Sequence, residues 1–179
     1  MKNMKIAITG ISTTGKTTIS KKLAKELGFR HIEINELAKE LKAYDGYDRK
    51  RQCKILDMKK LEKKINKIKE NIILDGHVSH LFKVDLVIIL RCDPKKLKRK
   101  LNRKYSNKFK IQQNLEAEIL GVITSEALER NNNIYEIDIT RKTVKQVVDD
   151  IKKIVEGKTK NYKIGNIDWL EKYEKWIKL

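Results

Sequence analysis

Two apolar periods alternate along the chain. Residues 5–9 (KIAIT), 31–34 (HIEI), 72–74 (IIL), 86–90 (LVIIL) and 134–139 (IYEIDI) are short apolar runs of strand length. Between them the spacing shifts to three and four. Ile19, Leu23, Ala24 and Leu27 share one face of a helix over 16–27, which Gly28 stops; Leu61, Ile65 and Ile68 share a face over 58–69. Residues 35–41 read as a short helix, followed by a polar loop that carries tyrosines at 44–48. Asp93 and Pro94 open a further helix, Asp as cap and Pro at the first helical position. Residues 115–128 form a longer apolar-periodic helix, and Thr143 with Gln146 makes a capping box for a helix running to Val155. A polar loop over 157–165 precedes a last helix that gathers Trp169, Leu170, Tyr173, Trp176 and Ile177 on one face.

Five strands alternating with helices predict an α/β fold, a five-stranded parallel sheet covered by helices. The runs 72–74 and 86–90 are apolar without interruption, as central strands buried on both faces should be. Ligands are expected beyond the carboxyl ends of such strands.

Composition narrows the class. A chain of 179 residues, 40% hydrophobic and 37% charged, makes one domain over 1–179 and is neither disordered nor membranous. No window approaches the ~18 apolar residues of a membrane span, and the first ten residues lack a signal-peptide pattern. Cys53 and Cys92 stand far apart without further ligand pairs. They read as reduced thiols, and a cytoplasmic location without membrane contact is expected. Lys plus Arg number 42 against 24 Asp plus Glu, a net charge of +18. Such a surplus speeds encounter with RNA, DNA or acidic partners. Equally, the lysines are spread along the chain with no RNA-binding signature and suit solvated helix faces.

The most specific chemistry lies between the first strand and the first helix. Gly10-Ile11-Ser12-Thr13-Thr14-Gly15-Lys16-Thr17 fits GxxxxGK[ST], a loop whose backbone amides wrap phosphate oxygens at a helix N-terminus. ATP and magnesium are the expected ligands. Gly10 and Gly15 allow the tight path, Lys16 reaches the β- and γ-phosphates, Thr17 ligates magnesium, and Thr18 offers its amide and hydroxyl to the α-phosphate. Asp75 ends the third strand, where a carboxylate holds magnesium through water or else caps a turn. Gly76 lets the backbone pass close to the nucleotide. His77 orients water or a substrate phosphate, or hydrogen-bonds the turn. His31 and His80 are expected to be structural or exposed. Arg99 and Arg103 lie four apart on the helix after Pro94, and Arg103 leads into the polar run 104–110, a candidate flap. Residues 140–142, after Asp138, line an adenine or form a plain turn.

Several of these segments together resemble one family. They are the loop Gly10 to Thr18, Tyr44-Asp45-Gly46-Tyr47-Asp48 with Cys53 and Ile55-Leu56-Asp57 after it, the turn Asp75-Gly76-His77, and Arg103-Lys104-Tyr105 leading into Asn114-Leu115-Glu116-Ala117-Glu118-Ile119. They resemble the adenylate kinase isoenzyme 6 family, also called coilin-interacting nuclear ATPase, whose archaeal members carry an adenylate kinase label. The likeness spans essentially the whole chain. It implies a nucleoside monophosphate kinase fold with a short lid, adenylate kinase and ATPase activities, and a part in small-subunit ribosomal RNA maturation beside a small-subunit ribosomal protein. Carried over by position, Thr13, Gly15, Lys16, Thr17, Thr18 and Arg103 would contact ATP, and Asp75 with His77 would form the Walker B-like pair. A monophosphate-binding segment over about 33–54 would bring Lys39, Tyr44 and Tyr47 to AMP or another nucleoside monophosphate, under a lid over about 103–113.

The chain departs from the family pattern in three places. Ser12 and Thr13 replace a proline and a glycine of the loop, which stiffens it. Lys39 replaces an arginine and cannot make a bidentate fork with a phosphate. Arg49, Lys50 and Arg51 replace acidic residues, favouring an anionic partner. Three functions stay open on these grounds: a kinase converting ATP and AMP to two ADP, an ATPase acting in ribosome assembly, and a nucleotide-dependent RNA-binding module.

Overall fold

A computed structural model describes residues 3–178. Five strands form one parallel sheet: β1 (Lys5–Gly10), β2 (Arg30–Glu33), β5 (Ile72–Asp75), β6 (Leu86–Arg91) and β7 (Ile134–Asp138), in the order β2-β5-β1-β6-β7. Between β2 and β5 a hairpin intervenes, made of β3 (Tyr44–Asp48) and β4 (Cys53–Leu56). Parallel neighbours need long crossovers. These are supplied by α1 (Lys16–Leu27), α2 (Ile34–Leu41), α3 (Met58–Asn66), α4 (Pro94–Lys104), α5 (Lys108–Ile119), α6 (Val122–Leu128) and α7 (Val144–Val155), with a one-turn α8 (Leu170–Tyr173) near the end. The α/β class and the five-stranded parallel sheet are those the apolar pattern predicts.

β1 is the central strand, flanked by β5 and β6, so the chain leaves the sheet in opposite directions on its two sides. Its register puts Ile8 beside Asp75 and Gly10 beside Leu90, which brings the ends of three strands to one edge. All residues of β5 and β6 are buried, as the apolar runs 72–74 and 86–90 within them require, and each strand ends in a buried charged residue, Asp75 or Arg91. One core cluster joins the sheet to α1, α4 and α7 through residues such as Leu23, Leu97, Val148 and Ile151. A second packs α2 and α3 on the other side through Leu37, Leu61, Ile65 and Phe82.

Helix ends follow their local chemistry. Asp93 accepts from the amides of Lys95 and Lys96, with Pro94 in the first turn. Thr143 and Gln146 form the reciprocal capping box. Gly28 closes α1 in the left-handed conformation at φ 67°.

Four expectations need correcting. The segment 44–48 is not a loop but the first strand of the hairpin, with Gly46 (φ 147°) absorbing a register shift and Gln52 (φ 52°) in the turn. The helix expected over 115–128 is interrupted at Gly121, whose φ of 64° ends α5 and starts α6 in a new direction. That helix also starts earlier than Leu115, at Lys108, because Asn107 caps α5 by accepting from the amide of Lys110. The last helix is only one turn of α-helix followed by a 3₁₀ turn; Tyr173 is buried whereas Leu170 is exposed, so the five residues do not share a buried face.

Candidate active site

β1 delivers the phosphate loop to the centre of the sheet edge. Gly10 stands at φ 143°, and a Cβ there would sit 2.6 Å from the Leu90 carbonyl oxygen, so only glycine fits against β6. Gly15 is left-handed at φ 82° and leads into α1, whose first-turn amides are unpaired donors by construction. Thr14 Oγ1 donates to the Ile11 carbonyl at 2.8 Å and holds the loop bent. Thr13 occupies the left-handed region too, at φ 71°, a strained setting for a β-branched residue. Its Oγ1 is buried without a hydrogen-bond partner.

Lys16 Nζ donates to the carbonyls of Gly10 and Ile11, each at 3.0 Å. Burial lowers its pKa to about 8, against the opposing pull of Asp75. Asp75, 1% exposed, lies at the end of β5 beside this ammonium. His77 Nδ1 lies 3.2 Å from the Gly10 carbonyl and donates to it, leaving Nε2 as the acceptor. Desolvation lowers the His77 pKa, so the ring is neutral near pH 7. The β5 turn and the phosphate loop thus meet on one carbonyl. Gly76 passes so close to α2 that a Cβ would be 3.0 Å from Ile34. Thr17 is half-buried in the first turn of α1 and Thr18 is exposed.

The remaining candidates lie apart from this cluster. Lys39 is exposed on α2 with Glu36 at 4.0 Å, Tyr47 is 58% exposed on the hairpin, and Tyr44 is half-buried under the Lys54 ammonium. None of the three hydrogen-bonds the loop among the described residues. Arg103 is exposed, and no hydrogen bond or ion pair engages it among the described residues. Its neighbours reach the loop instead: Lys104 Nζ donates to Ser12 Oγ at 3.2 Å, Tyr105 and Ser12 share a hydroxyl contact of 2.8 Å, and Lys100 Nζ donates to the Thr13 carbonyl at 3.4 Å. The hairpin turn touches the same region, with Asn107 Nδ2 donating to the Lys50 carbonyl and Arg51 Nε to Gln113 Oε1. Thr140 closes a turn onto Asp138 and accepts the Asp93 amide at 2.8 Å. Two open grooves flank the cluster rather than contain it. One of about 790 Å³ runs along α1 past Thr17, Thr18 and Lys21, and one of about 670 Å³ lies between the hairpin and α3.

His31 and His80, expected to be structural or exposed, both have partners, and Arg91 is a further residue that no motif marks. His31 Nε2 lies 3.3 Å from Asp75 Oδ2, a contact made because β2 pairs with β5. His80 is buried between Thr9 and Glu126. Arg91, buried at the end of β6, pairs with Glu118 at 2.8 Å and with Glu136, while Trp169 Nε1 donates to Glu118 at 3.1 Å. This cluster ties α5 to the sheet edge. An arginine closing an otherwise apolar strand was the available signal.

A family described as "AAA domain" matches residues 6–121. A protein of Methanocaldococcus jannaschii named "Putative adenylate kinase" is 42% identical over 98% of each chain. One of the same name from Pyrococcus furiosus is 37% identical over 97% of this chain and 96% of its own. The chain belongs to their family. This is the archaeal adenylate kinase branch that the loop, the tyrosine segment and the Asp75-Gly76-His77 turn resemble. Solved structures share the fold at low identity. A deoxyadenosine kinase from M. mycoides aligns with TM-score 0.57 at 19% identity, over 87% of this chain and all of its own. A shikimate kinase from Acinetobacter baumannii aligns with TM-score 0.60 at 15% identity, over 87% and 94%. No helix among the described residues is long and apolar enough to cross a membrane.

The donor set suits a nucleotide with magnesium. The partnerless buried hydroxyl of Thr13, the glycine-lined loop and the Lys16 ammonium fit phosphate oxygens. A buried carboxylate and a threonine hydroxyl are hard oxygen donors of the kind magnesium takes alongside substrate phosphates.

Proposed function

We propose that this protein is a nucleoside monophosphate kinase that moves the γ-phosphoryl group of ATP to AMP or a related monophosphate, and that it also hydrolyses ATP. The observation that carries this reading is the convergence of Lys16 and His77 on the carbonyl of Gly10, with Asp75 beside the Lys16 charge. In the transfer, the bond from the γ-phosphorus to its bridging oxygen breaks and one forms to a monophosphate oxygen, so ADP leaves on both sides. Lys16 would follow the charge developing on the transferred group. Thr17 and Asp75 would hold magnesium, which neutralises phosphate charge when bound. Gly10, Thr13, Gly15 and Thr18 would line the phosphates, with Arg103 closing from α4. Lys39, Tyr44 and Tyr47 would face the monophosphate, over a segment of about 33–54, under a lid of about 103–113. Catalysis on this scheme is positioning and electrostatics, without a covalent intermediate.

Hydrolysis draws on one specific feature. His77 is neutral, with Nδ1–H engaged by Gly10 and Nε2 free to accept, the state needed to orient a water. The family resemblance and the net charge of +18 support a further role in small-subunit ribosomal RNA maturation, beside a ribosomal protein. A coupled ADP assay with ATP and magnesium, run with and without each nucleoside monophosphate, tests the scheme. Strong stimulation of ADP release by AMP is expected. ATP hydrolysis indifferent to every monophosphate would leave the ATPase alone.

A further inference from the structure

Among the described residues His80 makes no hydrogen bond to residues 10–17, yet both of its ring nitrogens are engaged. The residue is 1% exposed; Nδ1 lies 3.0 Å from Thr9 Oγ1 and Nε2 lies 2.9 Å from Glu126 Oε2. Thr9 Oγ1 lies 3.1 Å from the carbonyl oxygen of His77. Glu126, His80, Thr9 and His77 therefore form a chain whose protons can be counted. The Thr9 hydroxyl has one proton, while a carboxylate and a carbonyl only accept.

With a neutral ring, Nε2 must carry the proton, because a bare nitrogen lone pair would face the Glu126 carboxylate. Nδ1 is then an acceptor and takes the Thr9 proton, and none remains for the His77 carbonyl. With a protonated ring both nitrogens donate. Nδ1–H then points at Thr9 Oγ1, and the Thr9 proton passes to the His77 carbonyl. Only the second arrangement ties down the residue whose Nδ1 meets Gly10.

We propose, resting on the kinase function above, that His80 is a positioning residue for the His77 turn: through the Thr9 hydroxyl it releases the His77 carbonyl when neutral and fastens it when protonated, with Glu126 selecting the tautomer. The groups that face the ring come from three elements. Thr9 belongs to β1, Glu126 to α6, and the His77 backbone to the turn after β5, while Asn131 Nδ2 holds the carbonyl of His80 itself at 2.8 Å. Burial favours the neutral ring and outweighs Glu126 and the His77 carbonyl, which favour protonation, so the released setting prevails near pH 7.

NMR of the isotope-labelled full-length protein between pH 5 and 8 tests this, following the His80 ring nitrogens and the His77 carbonyl carbon in the wild type, Thr9→Ser and Thr9→Val. At pH 8 the Nε2–H tautomer is expected. The His77 carbonyl shift should track the His80 titration in the wild type and Thr9→Ser, and stop tracking it in Thr9→Val. An Nδ1–H tautomer at pH 8 overturns the proposal, and that measurement needs no variant. So does a His77 carbonyl that follows His80 equally in Thr9→Val. In parallel, kcat and not the nucleotide KM should follow the same titration, except in Thr9→Val. Absence of turnover in every protein would count against the kinase function, while the NMR result would still decide the relay.

Discussion

The ammonium of Lys16 closes the phosphate loop onto its own first residue, donating to the carbonyl of Gly10 at 3.0 Å. The same carbonyl receives His77 from the turn after β5, and Asp75 stands beside the charge. A cation and a histidine from two separate segments are thus fixed by one backbone oxygen, with a carboxylate close to the cation. β1 and β5 are neighbours in the sheet, which is why segments more than 60 residues apart meet there.

Holding that cation has a cost that pH exposes. The folded pKa of Lys16 is about 8, below its unfolded value of 10.5. Between these the unfolded chain binds more protons, so this residue opposes folding in full below pH 8, and the opposition fades as pH rises towards 10.5. Lys16→Met should therefore be more stable than the wild type at pH 7, with the gap narrowing by pH 10. Urea titrations of both proteins at the two pH values check it; a gap independent of pH would contradict the assigned environment.

Thr13 is held at φ 71° in the loop, where its branched side chain is strained. Thr13→Gly removes that strain, of the order of 1–2 kcal/mol for a left-handed L-residue, less what glycine adds to unfolded-chain entropy. A net gain of about 1 kcal/mol in stability is expected, read from denaturant midpoints, together with weaker ADP binding by calorimetry, because the hydroxyl offered to phosphate is lost. A loss of stability would show that the Thr13 side chain holds the loop together.

Asp75 and His77 should separate by their response to magnesium. Asp75→Asn is expected to raise the magnesium concentration needed for half-maximal turnover, whereas His77→Ala should lower kcat at an unchanged magnesium midpoint. Magnesium titrations of the two variants decide between the roles, and equal responses would mean that they are not divided this way.

The fold was legible because its central strands carry the unbroken apolar runs 72–74 and 86–90 and because two of its helices carry strong caps. Asp93-Pro94 and the Thr143–Gln146 box mark their helix starts without help from tertiary contacts. The hairpin was not legible: YDGYD has polar residues on both faces, and its pairing with β4 depends on the turn at Gln52 rather than on an apolar pattern. The break at Gly121 was not legible either, because a single glycine inside an apolar-periodic stripe is compatible with one continuous helix. In the site, the phosphate loop is a local motif and was visible whole. His31 and His80 were not, because their partners Asp75, Thr9 and Glu126 lie 44, 71 and 46 residues away and meet them only through sheet order and packing. Lys100 and Lys104 reach the loop, while Arg103, between them on the same helix, does not hydrogen-bond it among the described residues.

The hairpin turn carries Arg49, Lys50 and Arg51, with Lys50 over the Phe109 ring at 4.1 Å and Arg51 paired with Asp48. If single-stranded RNA docks there, log affinity falls with log salt by ~0.7 per phosphate neutralised. Changing all three residues to Glu should flatten that slope by roughly two to three times this amount, with ATP turnover largely spared. Filter binding of a ribosomal RNA fragment across a salt series measures it. An unchanged slope would assign the basic surplus to solvated helix faces.

The central claim is that Lys16 carries the charge on which phosphoryl transfer depends. The most direct measurement is turnover of ATP and magnesium, with and without AMP, by purified Lys16→Ala whose circular dichroism and melting match a folded protein. A loss of at least ~100-fold is expected, the order found when a donor to transition-state charge is removed. Near-wild-type turnover in that variant would contradict the nucleotide site itself.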